Sequence, residues 1–114
     1  MKHLLIAASL LLSLPAFAEP VCTAVSRTND GKKLTEQPMS KVYSDAASVK
    51  WEADIGPIYY MVMFDKDNED YLVMITRGPA YQDGISLRGV FNKRGELRAS
   101  WVSPEETWQV LCKK

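Results

Sequence analysis

Two apolar runs joined by a polar hexapeptide constrain the fold of this chain more than any other feature. The runs are Ile58–Phe64 and Tyr71–Thr76, and residues 65–70 between them read Asp-Lys-Asp-Asn-Glu-Asp. Both runs are too short for typical helices and are rich in β-branched and aromatic residues, which predicts two strands of a β-hairpin. Pairing across the turn places Val62 opposite Val73 on one apolar face.

A second hairpin precedes the first and shares a strand with it. Residues 49–55 alternate apolar and charged side chains, which is typical of a half-buried strand, and Gly56-Pro57 follows as a turn. The register set by this turn places Trp51 opposite Val62. One face of three consecutive strands is then apolar, and this agreement supports the predicted register.

The C-terminal third continues the pattern of short antiparallel strands. Residues 85–91 alternate, and residues 93–95 suit a three-residue hairpin loop with glycine at the left-handed position. That loop predicts that Leu87 pairs with Trp101. The next turn places Trp101 opposite Trp108, so the tryptophans are expected in the shared interior.

We therefore expect an all-β fold, an antiparallel meander of six to eight strands that forms a small barrel or a sandwich. One segment fits two descriptions. Met39, Val42, Tyr43 and Ala46 fall at helical spacing, so residues 39–47 form either one short helical turn or a short strand.

The N-terminus has the layout of a secretory signal. Lys2 supplies the positive charge, Leu4–Leu14 the apolar run, and Ala16–Ala18 a small-x-small cleavage site. We predict a signal peptide at residues 1–18 and a single small β domain at residues 19–114. The protein is then exported, to the periplasm or the extracellular space, and no membrane insertion of the mature chain is expected.

The two cysteines lie at the two ends of the mature chain. In an exported protein an even number of cysteines is typical of disulfides, and here one pairing exists, Cys22 with Cys112. The register of the last hairpin places Cys112 on the apolar face. The sequence therefore predicts a disulfide that joins the first strand to the last.

Composition argues against several classes of function. Removing Lys2 from 14 basic residues leaves 13 beside 14 acidic ones, so nucleic acid is not expected as a partner. The one histidine, His3, lies in the predicted signal. With no Ser/His or Cys/His pair we expect no enzyme, no cofactor and no metal site. Residues 65–70 match a calcium loop poorly, because glycine is missing at the sixth position.

The second face of the central hairpin is apolar as well, which is unusual for a solvent-facing side. Its residues form a candidate binding site with an arginine at the rim: Tyr59, Met61, Met63, Leu72, Met74 and Arg88. Exposed apolar patches usually mark interaction sites, and methionine suits adaptable contacts. The alternative is that residues 32–47 fold over this face, with Met39, Val42 and Tyr43 as a lid.

The leading hypothesis is an exported, non-catalytic domain that binds a protein partner, as an inhibitor or an envelope accessory factor. The first alternative is a carrier of a small apolar ligand, which requires an interior pocket. The second alternative is a structural secreted domain without a ligand, which requires neither pocket nor patch.

Overall fold

The structure is a computed structural model that describes residues 19–114; the predicted signal peptide at residues 1–18 lies outside the described residues. All regular structure in the described part of the chain is β-strand. Nine strands follow one another: β1 (Val21–Thr28), β2 (Leu34–Pro38), β3 (Ser40–Ser44), β4 (Ser48–Ile55), β5 (Ile58–Asp65), β6 (Asp70–Arg77), β7 (Asp83–Gly89), β8 (Glu96–Val102) and β9 (Glu106–Lys113).

The strands form two antiparallel sheets that share one core, so the predicted all-β fold is confirmed and the architecture is a sandwich. One sheet has the order β2-β1-β9-β8 and the other β3-β4-β5-β6-β7. The first strand pairs with the last along its whole length, which brings Cys22 opposite Cys112. These two residues form the predicted disulfide across 90 positions of sequence. Within residues 19–114, no helix is long and apolar enough to cross a membrane.

The core consists of the side chains that the two-residue alternation predicts. The central hairpin pairs Val62 with Val73, and β4 places Trp51 opposite Val62, as expected. The last hairpin pairs Trp101 with Trp108. The side chains that are almost completely buried come from both sheets: Tyr60, Ile75, Val49, Val62, Val73, Val110 and Cys112.

The predicted hairpin between β7 and β8 is wrong, and with it the pairing of Leu87 with Trp101. β7 is hydrogen-bonded to β6, where Leu87 lies opposite Val73, whereas β8 belongs to the other sheet. The turn before β8 is stabilised by hydrogen bonds within residues 92–96. The side chain of Asn92 accepts hydrogen bonds from the backbone N–H groups of Arg94 and Glu96. The glycine-containing turn therefore lies in a crossover between the sheets rather than in a hairpin.

The ambiguous segment forms a strand and not a helical turn. Met39 donates its backbone N–H to the carbonyl of Cys22 in one sheet, and its side chain lies in the core. The chain then enters β3, which pairs with the edge of β4. Met39 alone separates β2 from β3, which belong to different sheets, and the described part of the chain has nine strands rather than six to eight.

Candidate functional site

The outward-facing side of the five-stranded sheet brings the predicted site residues together. On neighbouring strands Met61 lies opposite Met74, and Met63 lies opposite Leu72, which in turn lies opposite Arg88. We call the apolar part of this face the strip; it consists of Tyr59, Met61, Met63, Leu72 and Met74.

Burial differs along the strip. Tyr59, Met63, Leu72 and Met74 are half-buried, whereas Met61 is only 4% exposed although it faces away from the core between the sheets. Met61 lies on the central strand of the sheet, opposite Glu52 of β4 on one side and Met74 of β6 on the other. The strip is therefore a continuous apolar surface with a close-packed centre.

The lid that the sequence allowed does not lie over the strip. β3 extends the sheet beside β4, and Val42 and Tyr43 are exposed at that edge. The hydroxyl of Tyr43 is 2.8 Å from that of Ser48, a contact made along the edge of the sheet. Met39 packs into the core between the sheets and is unavailable as a cover. The strip accordingly remains a surface of the domain.

One side of the strip has a charged wall. Lys50 Nζ lies 3.1 Å from Glu52 Oε1, and Glu52 also accepts a hydrogen bond from the hydroxyl of Tyr59. The hydrogen bonds from Lys50 and from Tyr59 lower the pKa of Glu52. Burial, together with the hydrogen bond to Glu52, raises the pKa of Tyr59. Tyr59 is thus neutral at physiological pH.

One end of the strip is closed by an arginine between two aspartates. Arg88 Nη1 lies 3.0 Å from Asp70 Oδ1 and 3.7 Å from Asp65 Oδ2. Asp65 and Asp70 are direct neighbours across the hairpin, and the shared guanidinium offsets their repulsion. These pairs are solvent-exposed, so they shape the surface more than they stabilise the fold.

The acidic hexapeptide is organised by its own hydrogen bonds. Asp65 Oδ1 accepts the backbone N–H groups of Asp67 and Asn68, at 3.0 Å and 3.2 Å. The bond from the backbone N–H of Asn68 is the largest of several causes that lower the pKa of Asp65. In the described part of the chain, no group of three or more His, Cys, Asp or Glu side chains is arranged to hold a metal ion.

The border of the strip carries more negative than positive charge. Asp54 lies opposite Tyr59 on the same face, and Asp67 lines a shallow depression at the Arg88 end. The charged groups around the strip are the carboxylates of Glu52, Asp54, Asp65, Asp67 and Asp70 and the cations of Lys50 and Arg88. A molecule bound to this face therefore contacts an apolar surface that is bordered mainly by acidic side chains.

Sequence reasoning missed one residue of this face, Tyr81. It lies in the loop between β6 and β7, and its ring contacts Tyr59 edge to face, with centroids 6.0 Å apart and planes at 75°. Its backbone has a φ of 56°, which is uncommon for a bulky residue and costs energy of order 1–3 kcal/mol. No sequence pattern locates Tyr81 on this face; the pairing of β6 with β7 in the structure returns the loop to the strip.

Tyr81 closes the second end of the strip and forms a depression there. The depression has a volume of about 310 Å³ and is lined by Tyr59, Met74, Thr76 and Tyr81. Thr76 is only 6% exposed, and its hydroxyl has no hydrogen-bond partner among residues 19–114. A Cβ on Gly84 would lie 2.2 Å from the carbonyl oxygen of Ile75 and 2.8 Å from the Cα of Thr76, so only glycine fits over this position.

A separate cleft opens between the sheets at one end of the sandwich. Its volume is about 300 Å³, and Arg77, Glu105 and Glu106 contribute charged groups to its lining. The guanidinium of Arg77 lies 5.1 Å from the ring centroid of Trp108 and 5.5 Å from that of Trp101. These cation–π contacts cover the tryptophans at the end of the core.

Comparisons of this chain with protein-family models, with curated proteins and with solved structures find no match. A sandwich of two antiparallel sheets is compatible with many unrelated functions. The function of this protein has to be argued from the strip and its surroundings.

Proposed function

We propose that this protein is an exported, non-catalytic domain that binds a protein partner through the strip, as an inhibitor or an envelope accessory factor. The observation that carries the proposal is a continuous apolar face, outside the core, that combines methionine and tyrosine with an arginine at its border. These are residue types enriched in protein interfaces, and monomeric proteins rarely leave such a patch without a role.

A protein fits this face better than a small apolar ligand does. The interior between the sheets is filled by side chains such as Tyr60, Val62 and Ile75, which are fully buried. The cleft at the end of the sandwich is lined by Arg77, Glu105 and Glu106, whose charges do not suit an apolar molecule. The strip is open, so a small molecule there would keep much of its surface in water.

The charges around the strip define the chemistry of the partner. Carboxylates outnumber cations at the border, and Lys50 and Arg88 are already paired with acidic groups. The matching surface presents apolar side chains flanked by lysine or arginine. Complementary charges at an interface raise the association rate and are screened by salt, so binding is expected to weaken as ionic strength rises.

Export is part of the proposal. The disulfide between Cys22 and Cys112 is compatible with an exported protein, because such bonds persist in oxidising compartments. We assign the partner to the same compartment, the periplasm or the extracellular space.

The test compares capture by a strip variant with capture by a matched control. The oxidised mature domain, Leu72→Glu and Val102→Glu are immobilised and incubated with the envelope fraction and culture fluid of the source. Leu72 lies in the strip, whereas Val102 is a 67% exposed residue of the other sheet. We expect a protein that the wild type and Val102→Glu retain and Leu72→Glu loses. The purified protein should then bind the wild type directly, with an affinity that falls as salt is added.

Three results would overturn the proposal. Equal capture by all three domains would place the contact elsewhere. Sedimentation showing a wild-type dimer that Leu72→Glu dissociates would make a second copy of this chain the occupant of the strip. Equal loss of capture by both variants would also contradict the proposal, since binding would then depend on the strip no more than on the other sheet.

A further inference from the structure

We propose that the free edge of β7 takes an extended segment of the partner, which pairs with β7 as a sixth strand of this sheet. The inference rests on the proposed function and specifies how the partner is held beside the strip. Ser86 lies opposite Met74 and Arg88 lies opposite Leu72, so only the width of one strand separates this edge from the strip. One partner can therefore contact the strip and pair with β7 at the same time.

The backbone of β7 offers hydrogen-bonding groups along its outer edge. In antiparallel sheets the successive residues of a strand bond alternately to the neighbour on one side and the neighbour on the other. The N–H of Gly78 donates to the carbonyl of Pro57, so by this alternation the even-numbered residues of β6 bond to β5. The odd-numbered residues then bond to β7, and the N–H and C=O groups of Ser86 and Arg88 are directed away from the sheet. Among residues 19–114 these outward groups have no backbone partner.

The other three sheet edges are less suited to pairing with a further strand. The register of β3 with β4 is irregular between Lys41 and Tyr43, and β2 has five residues and ends at Pro38. Bulges, lysine and proline are devices by which proteins protect sheet edges. β8 belongs to the sheet without the strip. By contrast, β7 pairs with β6 in an unbroken register, and the side chain of Arg88 is directed to Asp70, away from the edge.

The side chains of β7 indicate that an added strand carries apolar residues at alternate positions. Ile85 and Leu87 face the core but are only half-buried, whereas Val73 on the neighbouring β6 is 1% exposed. A further strand beside β7 would place its own core-facing side chains against Ile85 and Leu87 and withdraw them from water. Its remaining side chains would extend the outward face next to Ser86.

The backbone and the side chains of β7 together define the occupant. A row of backbone donors and acceptors is matched by the backbone of another extended chain, whereas a small apolar molecule would leave these groups unpaired. Main-chain hydrogen bonds would supply affinity, and the alternate apolar side chains would determine which segments bind. The partner therefore contributes an extended stretch of about five or six residues, the usual length of a strand.

The first test replaces the unidentified partner with a synthetic peptide. The ¹⁵N-labelled mature domain is titrated with acetyl-Lys-Val-Thr-Val-Thr-Val-Lys-amide, in which valine alternates with polar residues. We expect saturable shifts of the Ser86 and Arg88 amide signals, and slower hydrogen exchange at both amides in the complex. The amides of Ile85 and Leu87 bond to β6 and should be protected with and without the peptide.

Ser86→Pro removes an outward N–H and keeps the hydrogen bonds to β6, so it tests the edge directly. Ser100→Pro is the matched control on the edge strand β8 of the other sheet. The N–H of Lys114 donates to the carbonyl of Gly95, so by the same alternation the N–H of Ser100 is also directed outward. We expect Ser86→Pro to weaken peptide binding at least about tenfold and Ser100→Pro to leave it unchanged. Circular dichroism checks that both variants fold.

Two N-methylated peptides test the pairing on the unchanged protein, which covers the case that Ser86→Pro does not fold. One peptide carries methyl groups on its valine nitrogens and the other on its threonine nitrogens. An extended chain turns the N–H groups of alternate residues to opposite edges. One of the two peptides should therefore lose binding while the other keeps it. Equal affinity of the two peptides would contradict strand pairing.

The strand pairing and the proposed function fail in different ways. The pairing is wrong if the peptide shifts neither Ser86 nor Arg88 up to its solubility limit, or if Ser86→Pro and Ser100→Pro bind it equally. A wild-type dimer that Ser86→Pro dissociates would make a second copy of this chain the occupant of the edge and overturn the proposal. Capture of a partner that depends on Leu72 but not on Ser86 would reject the pairing while the proposed function stands. Loss of the Leu72 dependence instead rejects the strip itself.

Discussion

Replacing both Cys22 and Cys112 with alanine is expected to lower the free energy of unfolding by about 4–5 kcal/mol. The disulfide closes 90 positions of sequence, so in the chain-entropy model its loss greatly enlarges the unfolded ensemble. A chain of this size buries a limited core, and a loss of that magnitude is a large part of its total stability. Urea denaturation of the oxidised domain and the double variant measures the difference.

Reductant provides the control for this prediction. Reduction should lower the stability of the wild type to that of the double variant and should leave the variant unchanged. A difference of less than about 1 kcal/mol would contradict the entropic role of the disulfide. The extended pairing of β1 with β9 would then hold the ends together without it.

Tyr60→Ala is expected to destabilise the domain by about 3–5 kcal/mol, the range for removing a large buried aromatic side chain. Tyr60 is completely buried, and its hydroxyl donates a hydrogen bond to the carbonyl of Val25 at 3.0 Å. That bond joins the two sheets, so the variant loses both packing and a contact across the interior. Tyr60→Phe keeps the buried ring and loses only the hydrogen bond, so its free energy of unfolding should be only about 1 kcal/mol below that of the wild type.

The adjacent residue is the matched comparison. Tyr59 lies on the opposite face of the same strand and is half-buried in the strip. Tyr59→Ala should cost less than half as much as Tyr60→Ala, because the ring is only partly withdrawn from water. Chemical denaturation of both variants checks this. Equal losses would show that the two faces of β5 contribute equally to stability, and the strip would then be part of the core rather than a surface.

Much of the fold could be predicted because apolar side chains alternate strictly in the strands of the hairpins. That pattern determines the register where a turn joins two adjacent strands, as for Val62 with Val73 and for Trp101 with Trp108. It does not determine which strands pair when the connection is long. The chain after β7 alternates well, yet it crosses to the other sheet, where β8 pairs with β9, and β7 stays at the edge of its own sheet.

The face of the candidate site followed from the same alternation, but its finer features did not. The sequence places Met61 and Met63 alike, whereas the structure buries Met61 and leaves Met63 half-buried. Tyr81 could not be assigned to the strip, since its position depends on a loop with a residue at positive φ. The burial of Thr76 goes with the close approach of Gly84 to its Cα and Cγ2, which no pattern in the sequence reports.

The most direct test of the strip as a docking surface measures stability and partner capture on one variant, Met63→Ser combined with Met74→Ser. Both residues are half-buried in the strip, and Met61 is left intact because it is buried. If the strip is a docking surface, the variant should fold, lose about 1–2 kcal/mol of unfolding free energy, and fail to capture the partner. A loss of about 4 kcal/mol or more, or capture equal to that of the wild type, would contradict the claim that this face exists for binding.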